Sequence, residues 1–229
     1  MKKIHRFIEE YEINDKKVEV KNSPLLHQWK NVLKFKEGEQ IILSNSNEEI
    51  LAEIKNLSKD ICELEVIEKY QNKNKVKRKV HLFLAILKKE NFEIALEKAT
   101  ELGIESITSI ITERTVKTGL NFERLEKIAK EASELSGRNT IPKINKTISY
   151  KEIFEININK KVILFDMVGE KIKEIKDEEL CIVIGPEGGF TENELEMAKE
   201  NDAIIASLSP LTLRGETATI VASYLAINI

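Results

Sequence analysis

Apolar residues recur along this chain in two rhythms. In the first part they come in short runs: Gln40-Ile41-Ile42-Leu43, Glu49-Ile50-Leu51-Ala52-Glu53-Ile54 and Cys62-Glu63-Leu64-Glu65-Val66-Ile67 read as strands separated by Asn, Ser and Lys turns. One helix interrupts them. Ser23 is placed to cap it and Pro24 to fill its first position, with Leu25, Leu26, Trp29 and Leu33 spaced along it and Gly38 beyond its end. The expectation is a small, mostly β module.

From Val80 onward the rhythm becomes strand, then helix. His81 to Leu87 is a continuous apolar strand, and Asn91 can cap a helix whose inner face is Phe92, Ala95, Leu96, Ala99 and Leu102, ending at Gly103. Ile104 to Ile111 is the next strand. A second helix carries Phe122, Leu125, Ile128, Ala129, Ala132 and Leu135 at helical spacing and stops at Gly137-Arg138, before Pro142. Lys161–Phe165, Leu180–Ile184 and Ala203–Leu208 complete a set of about five buried strands, so an α/β fold with a parallel sheet and helices on both faces is expected. Between the two rhythms lies Gln71-Asn72-Lys73-Asn74-Lys75-Val76-Lys77-Arg78-Lys79, polar and basic, which places a domain boundary between residues 1–72 and 73–229. This stretch is either a solvated linker or a basic track for a polyanion.

The stretch with the most local information is Ile182-Val183-Ile184-Gly185-Pro186-Glu187-Gly188-Gly189-Phe190-Thr191-Glu192-Asn193-Glu194. A β-branched apolar run ends in glycines and a proline, and Thr191 with Glu194 has the spacing of a capping box. Strand, glycine loop and helix form a unit whose bare main chain a ligand can approach closely. It lacks both the dinucleotide fingerprint and a P-loop, and as a bare pattern a plain structural turn fits as well. Further on, Leu208-Ser209-Pro210-Leu211-Thr212-Leu213-Arg214-Gly215-Glu216-Thr217-Ala218 leaves the last strand with an arginine and a carboxylate two apart, a second ligand-facing turn that opens an apolar helix.

Composition narrows the class. The 229 residues, 41% apolar and 33% charged, suit a soluble globular chain with a real core, and no run approaches the ~20 apolar residues of a membrane span. The start is basic with no apolar run after it, so no signal peptide is read and the cytoplasm is the expected location. Cys62 and Cys181 are expected to be small buried hydrophobes, and with three scattered histidines no metal-ligand spacing can be assembled. A net charge of −3 does not announce a nucleic-acid binder, although binding needs only a basic face.

Taken together, Gly185-Pro186-Glu187-Gly188-Gly189-Phe190 and Leu213-Arg214-x-Glu216-Thr217-Ala218 closely resemble the ribosomal RNA small-subunit methyltransferase E family of the SPOUT class. Glu97 to Ile104, Glu113-Arg114, Ser136-Gly137-Arg138 with Pro142, and His27 with Val32-Leu33 extend the likeness over nearly the whole chain. The chain departs from the family at Ser209, Leu211, Gly215 and Leu135, where glycine, arginine, threonine or alanine, and glutamine are usual.

The resemblance implies a SPOUT-type parallel sheet with a C-terminal trefoil knot, a rarity among folds. It also implies a PUA-like β-barrel at the N-terminus, a homodimer, and methylation of uridine N3 in 16S ribosomal RNA with S-adenosylmethionine as cofactor. The implied cofactor residues are Phe165, Asp166 and Met167 on one loop, Ile184, Gly185, Pro186, Glu187, Gly188 and Gly189 on the next, and Leu208, Leu211 and Leu213 on the third. Arg214 is the implied catalytic cation and Glu216 the candidate base, with mutual pairing of the two, or the dressing of a helix N-terminus, as the alternative. Arg114, Arg138, Lys75, Lys77 and Arg78 are expected to face RNA, with structural ion pairing as the alternative for both Arg114 and Arg138. His27 is read as a packing or hydrogen-bonding residue, and Lys98 and Glu101 as a brace. Two other readings stay open: another SPOUT enzyme acting on transfer RNA or a ribose hydroxyl, and an RNA-binding assembly protein without activity.

Overall fold

The structure is a computed structural model and describes residues 4–71, 76–116, 119–157, 159–172 and 176–228. By contacts the chain divides into two units, Met1–Lys75 with Ser133–Thr140, and Val76–Ala132 with Ile141–Ile229.

The first unit holds a five-stranded sheet in the order β1-β3-β4-β5-β2, built from β1 (His5–Ile8), β2 (Lys17–Val20), β3 (Gln40–Ser44), β4 (Glu49–Leu57) and β5 (Cys62–Tyr70). Only β1 with β3 is parallel. The alternation of β5, with Cys62, Leu64 and Val66 buried and the residues between them exposed, is what a sheet wet on one face requires. Trp29 is fully buried at the centre of the core beside Phe7 and Phe35. Removing such a side chain from water contributes about 1.5–3 kcal/mol.

Two expectations for this unit need correction. The single helix from Ser23 is a short α1 (Ser23–His27) that runs into a π-turn, Gln28–Val32. Its cap is Asn22, not Ser23: Asn22 Oδ1 accepts the Leu25 N–H at 3.2 Å, and the Asn22 amide is held by Glu9. Strands β1 and β2 were not read from the sequence, because four residues each are too short to set up a period.

The second unit is a six-stranded, all-parallel sheet in the order β11-β9-β10-β6-β7-β8. Its strands are β6 (Lys79–Ala85), β7 (Ser106–Ile111), β8 (Lys143–Ser149), β9 (Lys161–Lys171), β10 (Glu179–Ile184) and β11 (Ile204–Ser207). Both faces are covered. Val80, Leu82 and Leu84 of β6 pack with α2 (Lys89–Leu102), α3 (Phe122–Ser136) and α6 (Gly215–Asn228), whereas Phe83 and Ala85 pack with α4 (Glu152–Ile156) and α5 (Glu192–Glu200). Burial on both sides is why these strands read as continuous apolar runs.

The sheet has one strand more than expected: β8 lies at its edge with no fully buried residue, so no hydrophobic run marks it. Strand β9 continues past Phe165 to Lys171, and its pairing with β11 shifts register between Ile205 and Ala206. Helix α2 starts at Lys89, so Asn91 lies inside it rather than capping it. Glu187 accepts the Lys88 N–H there at 3.1 Å, a tertiary contact no local spacing announces. Leu135 is 67% exposed. At 3.6 residues per turn it stands about 80° from Leu125, at the margin of the buried stripe. Gly103 and Gly137 end their helices with φ of +106° and +80°, as the sequence led one to expect.

No helix among the described residues is long and apolar enough to cross a membrane. Cys62 and Cys181 are both buried, and burial pushes both thiols up to about 12. The thiolate is the reactive form. Iodoacetamide in mildly alkaline buffer should therefore leave both cysteines unmodified in the folded protein and alkylate both once it is denatured, as mass spectrometry would read. Gly169 lies against β11, where an added Cβ would stand 2.5 Å from the Ala206 main chain. Gly169→Ala should cost about 1–3 kcal/mol in urea unfolding. Gly119→Ala, where nothing lies within 4 Å, is the control expected to unfold as the parent does.

Candidate active site

Three neighbouring parallel strands, β11, β9 and β10, come to one end of the sheet, and the middle of β9 together with the segments that follow β10 and β11 lines a cavity of about 530 Å³. That lies within the roughly 300–1,000 Å³ usual for small-molecule sites. Strand β9 contributes Phe165, Asp166 and Met167. Strand β10 contributes Ile184 and the turn Gly185-Pro186-Glu187-Gly188-Gly189-Phe190. Ser207 ends β11, and after it come Leu208, Ser209, Leu211, Thr212, Leu213 and Arg214, with Gly215 and Ala218 inside α6. All the residues expected on the three loops thus stand on one wall or another of the same hollow.

The glycine loop is shaped by main-chain bonds. Gly189 N–H donates to the Pro186 carbonyl at 2.9 Å, and Gly189 takes a φ of +69°, a conformation that suits glycine. A Cβ on Gly189 would meet only Asp166 Oδ2, at 3.9 Å, so the backbone here is bare toward the cavity. A Cβ on Gly185 would instead stand 2.9 Å from the Phe190 ring, which fills the space beneath the turn. The capping box after the loop is formed in full: Glu194 N–H donates to Thr191 Oγ1 at 3.2 Å, and Thr191 N–H to Glu194 Oε2 at 2.9 Å.

Two apolar side chains stand open on the lining, Met167 55% and Leu211 72% exposed, among the exposed polar residues Arg114, Glu187, Thr212 and Arg214. The Thr212 hydroxyl donates to Met167 Sδ at 3.1 Å and so ties the β9 segment to the last loop.

Arg214 is exposed on the cavity wall, and its carbonyl accepts the Ala218 N–H at 2.8 Å in the first turn of α6. It makes no ion pair with Glu216, so the pairing left open by the sequence does not form. Glu216 is not on the cavity wall. It sits in the first turn of α6, where a carboxylate favours the helix dipole, with Oε2 buried and without a hydrogen-bond partner among the described residues. Such an orphaned acceptor costs about 1–3 kcal/mol.

The basic residues expected to face RNA divide. Arg114 reaches the cavity, but its Nη1 donates to the carbonyls of Gly188 at 2.7 Å and Phe190 at 3.1 Å. Arg78 donates from Nη1 to the Ala226 carbonyl at 2.7 Å, at the C-terminal end of α6. Lys77 is exposed, Lys75 lies outside the described residues, and Arg138 belongs to the first contact unit, with its N–H on the Ser133 carbonyl. His27 bonds with Asn31 at 3.0 Å, and Lys98 bridges Glu97 and Glu101 on α2.

Sequence reasoning missed Tyr150, whose hydroxyl donates to the Glu194 carbonyl at 2.8 Å, and the contact of Glu194 Oε1 with the Glu113 N–H at 2.9 Å. Burial, helped by the Glu194 charge, raises the Tyr150 phenol above its usual value and keeps it a donor. Only the capping-box spacing pointed to Glu194 at all. No group of three or more His, Cys, Asp or Glu among the described residues could hold a metal ion.

Residues 73–227 match the RNA methyltransferase domain family, and residues 30–67 match the RNA methyltransferase PUA domain. The chain is similar to Ribosomal RNA small subunit methyltransferase E of Rickettsia conorii, at 33% identity over 90% of this chain and 87% of that protein. It is equally similar to the Bacillus subtilis protein of the same name, at 33% over 86% and 84%. Its fold is similar to the crystal structure of a Ribosomal RNA small subunit methyltransferase E from Neisseria gonorrhoeae bound to S-adenosyl methionine, with a TM-score of 0.87, 27% identity, and 96% of this chain and 95% of that one covered. A domain match over more than half of the residues, and relatives matched along most of their own length, carry one conclusion: this chain belongs to the ribosomal RNA small subunit methyltransferase E family.

Proposed function

We propose that this protein is an S-adenosylmethionine-dependent methyltransferase that methylates N3 of a uridine in the 16S ribosomal RNA of the small subunit. The observation that carries the reading is the convergence of the β9 segment Phe165–Met167 and the two loops after β10 and β11 on one cavity with a bare glycine main chain. The fit to the cofactor rests on the same wall: the main-chain groups of the Gly185 to Gly189 turn other than the bonded Gly189 N–H and the Pro186 and Gly188 carbonyls suit a nucleoside's polar edge, and Leu208, Leu211 and Leu213 suit the faces of its base. When bound, S-adenosylmethionine supplies a methyl carbon made electrophilic by the adjoining sulfonium.

The chain's own task is alignment, and holding reactants on one line lowers a barrier by several kcal/mol. The Arg214 guanidinium stays protonated, so it cannot take the N3 proton. It donates to a uracil carbonyl as negative charge builds there. Glu216 does not line the cavity and acts at one remove, as a carboxylate in the first turn of α6, two residues beyond Arg214.

RNA is held in this reading by the PUA-like module, by Arg138 and Lys77, and by the basic stretch that includes Lys75. The target base leaves its stack to reach the cavity. The working form is a homodimer in the cytoplasm. Helix α6 supports the dimer: it is rich in apolar residues, and its Tyr224 is 55% exposed. A C-terminal trefoil knot belongs to the same reading, with β11 paired beside β9 and α6 returning to pack on α2.

Small ribosomal subunits incubated with labelled S-adenosylmethionine should gain label only with this protein, and nucleoside digests should place it on uracil N3. Label on a ribose, or none, would refute the assignment. Arg214→Ala should lower kcat by about 10²–10³ while leaving the cofactor Kd near the parent value in calorimetry. Equal turnover would remove Arg214 from the chemistry.

A further inference from the structure

A glycine loop has few side chains with which to hold its shape, and the one lining this cavity is held from outside. Arg114 Nη1 donates to two of its carbonyls, Gly188 and Phe190, and the Arg114 stem lies along the space that Gly188 leaves open, where an added Cβ would be 3.4 Å from Arg114 Cβ and Cδ. Arg114 is aimed by its neighbour. The Glu113 N–H donates to Oε1 of Glu194, a carboxylate only 3% exposed, whose Oε2 takes the Thr191 N–H just beyond the loop. Tyr150, in contact with the Phe190 ring, fixes Glu194 through its carbonyl. The bonds close a ring from Glu194 to Glu113 and Arg114, across to Gly188 and Phe190, and back through Thr191. Two segments distant in sequence thus become one rigid wall.

We propose that Arg114 and Glu194 form a positioning brace for this wall, so that Arg114 serves methyl transfer by holding the cofactor loop and not by contacting RNA. The proposal rests on the cofactor reading above and assigns what keeps that loop in its binding shape. Only one of the guanidinium nitrogens is spent on the two carbonyls, and the charge strengthens both bonds. Losing the donor leaves two loop carbonyls without a protein partner and frees the turn to sample other shapes, which weakens binding by an ordering cost paid at each binding event.

Arg114→Met keeps the stem and removes the donors. Because the residue is exposed, the variant should fold as the parent does by circular dichroism. Calorimetry should show the Kd for S-adenosylmethionine rising about tenfold. Binding of an RNA fragment should keep its parent salt dependence. Glu194→Gln, which leaves one of the two N–H groups without its acceptor, should raise the same Kd, and the double variant should be no worse than the worse single one. The opposite result for Arg114→Met, an unchanged cofactor Kd with weaker RNA binding and a log–log salt slope smaller by about one, would make Arg114 an RNA contact and overturn the brace. Parent protein that binds no cofactor would defeat the proposed function; parent binding with both variants unchanged would defeat the brace alone.

Discussion

A parallel sheet covered on both faces can open to a ligand only toward its strand ends, and here three neighbouring strands come to the same end of the sheet. Phe165 of β9 lies opposite Ile184 at the end of β10, while β9 runs on to Lys171, opposite Ser207 at the end of β11. Carbonyl and N–H groups beyond the ends of β10 and β11 have no further strand to bond. They must find turns, side chains or a ligand. The cavity follows from that constraint together with the order of the strands, in which β10 and β9 are inserted beside β6 and the chain's direction of winding reverses.

Rigidity at the site comes from polar groups that the local sequence does not advertise. A glycine turn is cheap to bend, and a loop left to itself would lose much of its binding energy to ordering. Here the turn is closed by the Gly189 to Pro186 bond, underlain by Phe190, and linked to α2 through Glu187 and Lys88. The capping box adds the start of α5. The opposite side of the cavity is softer. Met167 and Leu211 are largely exposed, and the Thr212–Met167 contact is a weak hydrogen bond to sulfur. One wall is thus held by several hydrogen bonds and the other by few.

Much of this was legible in the chain. The apolar runs of β6, β7, β9 and β10 were visible because burial on both faces leaves no polar positions to blur them, and the Thr191–Glu194 cap could be read because its spacing is local. Elements that escaped notice were those whose stability comes from elsewhere: β8 with no fully buried residue, the four-residue β1 and β2, and the start of α2, which relies on a carboxylate from the glycine loop. Arg78 and Arg114 were expected to face RNA, with a solvated linker and a structural pairing as the respective alternatives, because a basic residue in a polar stretch looks the same whether it meets RNA or a helix end. Both turned out to be bonded to distant carbonyls.

By itself the sequence determined the alternation of strand and helix, the glycine loop with its cap, the arginine-bearing turn near the C-terminus, and the family likeness those motifs carry. These are local matters of spacing and backbone permissiveness. The tertiary structure decided which segments meet. It brought three segments onto one hollow, set Glu216 behind the wall while leaving Arg214 on it, and turned Arg114 toward Gly188 and Phe190. The physical reason is that a hydrogen bond between residues some 75 positions apart depends on strand order and register, which no window along the chain contains.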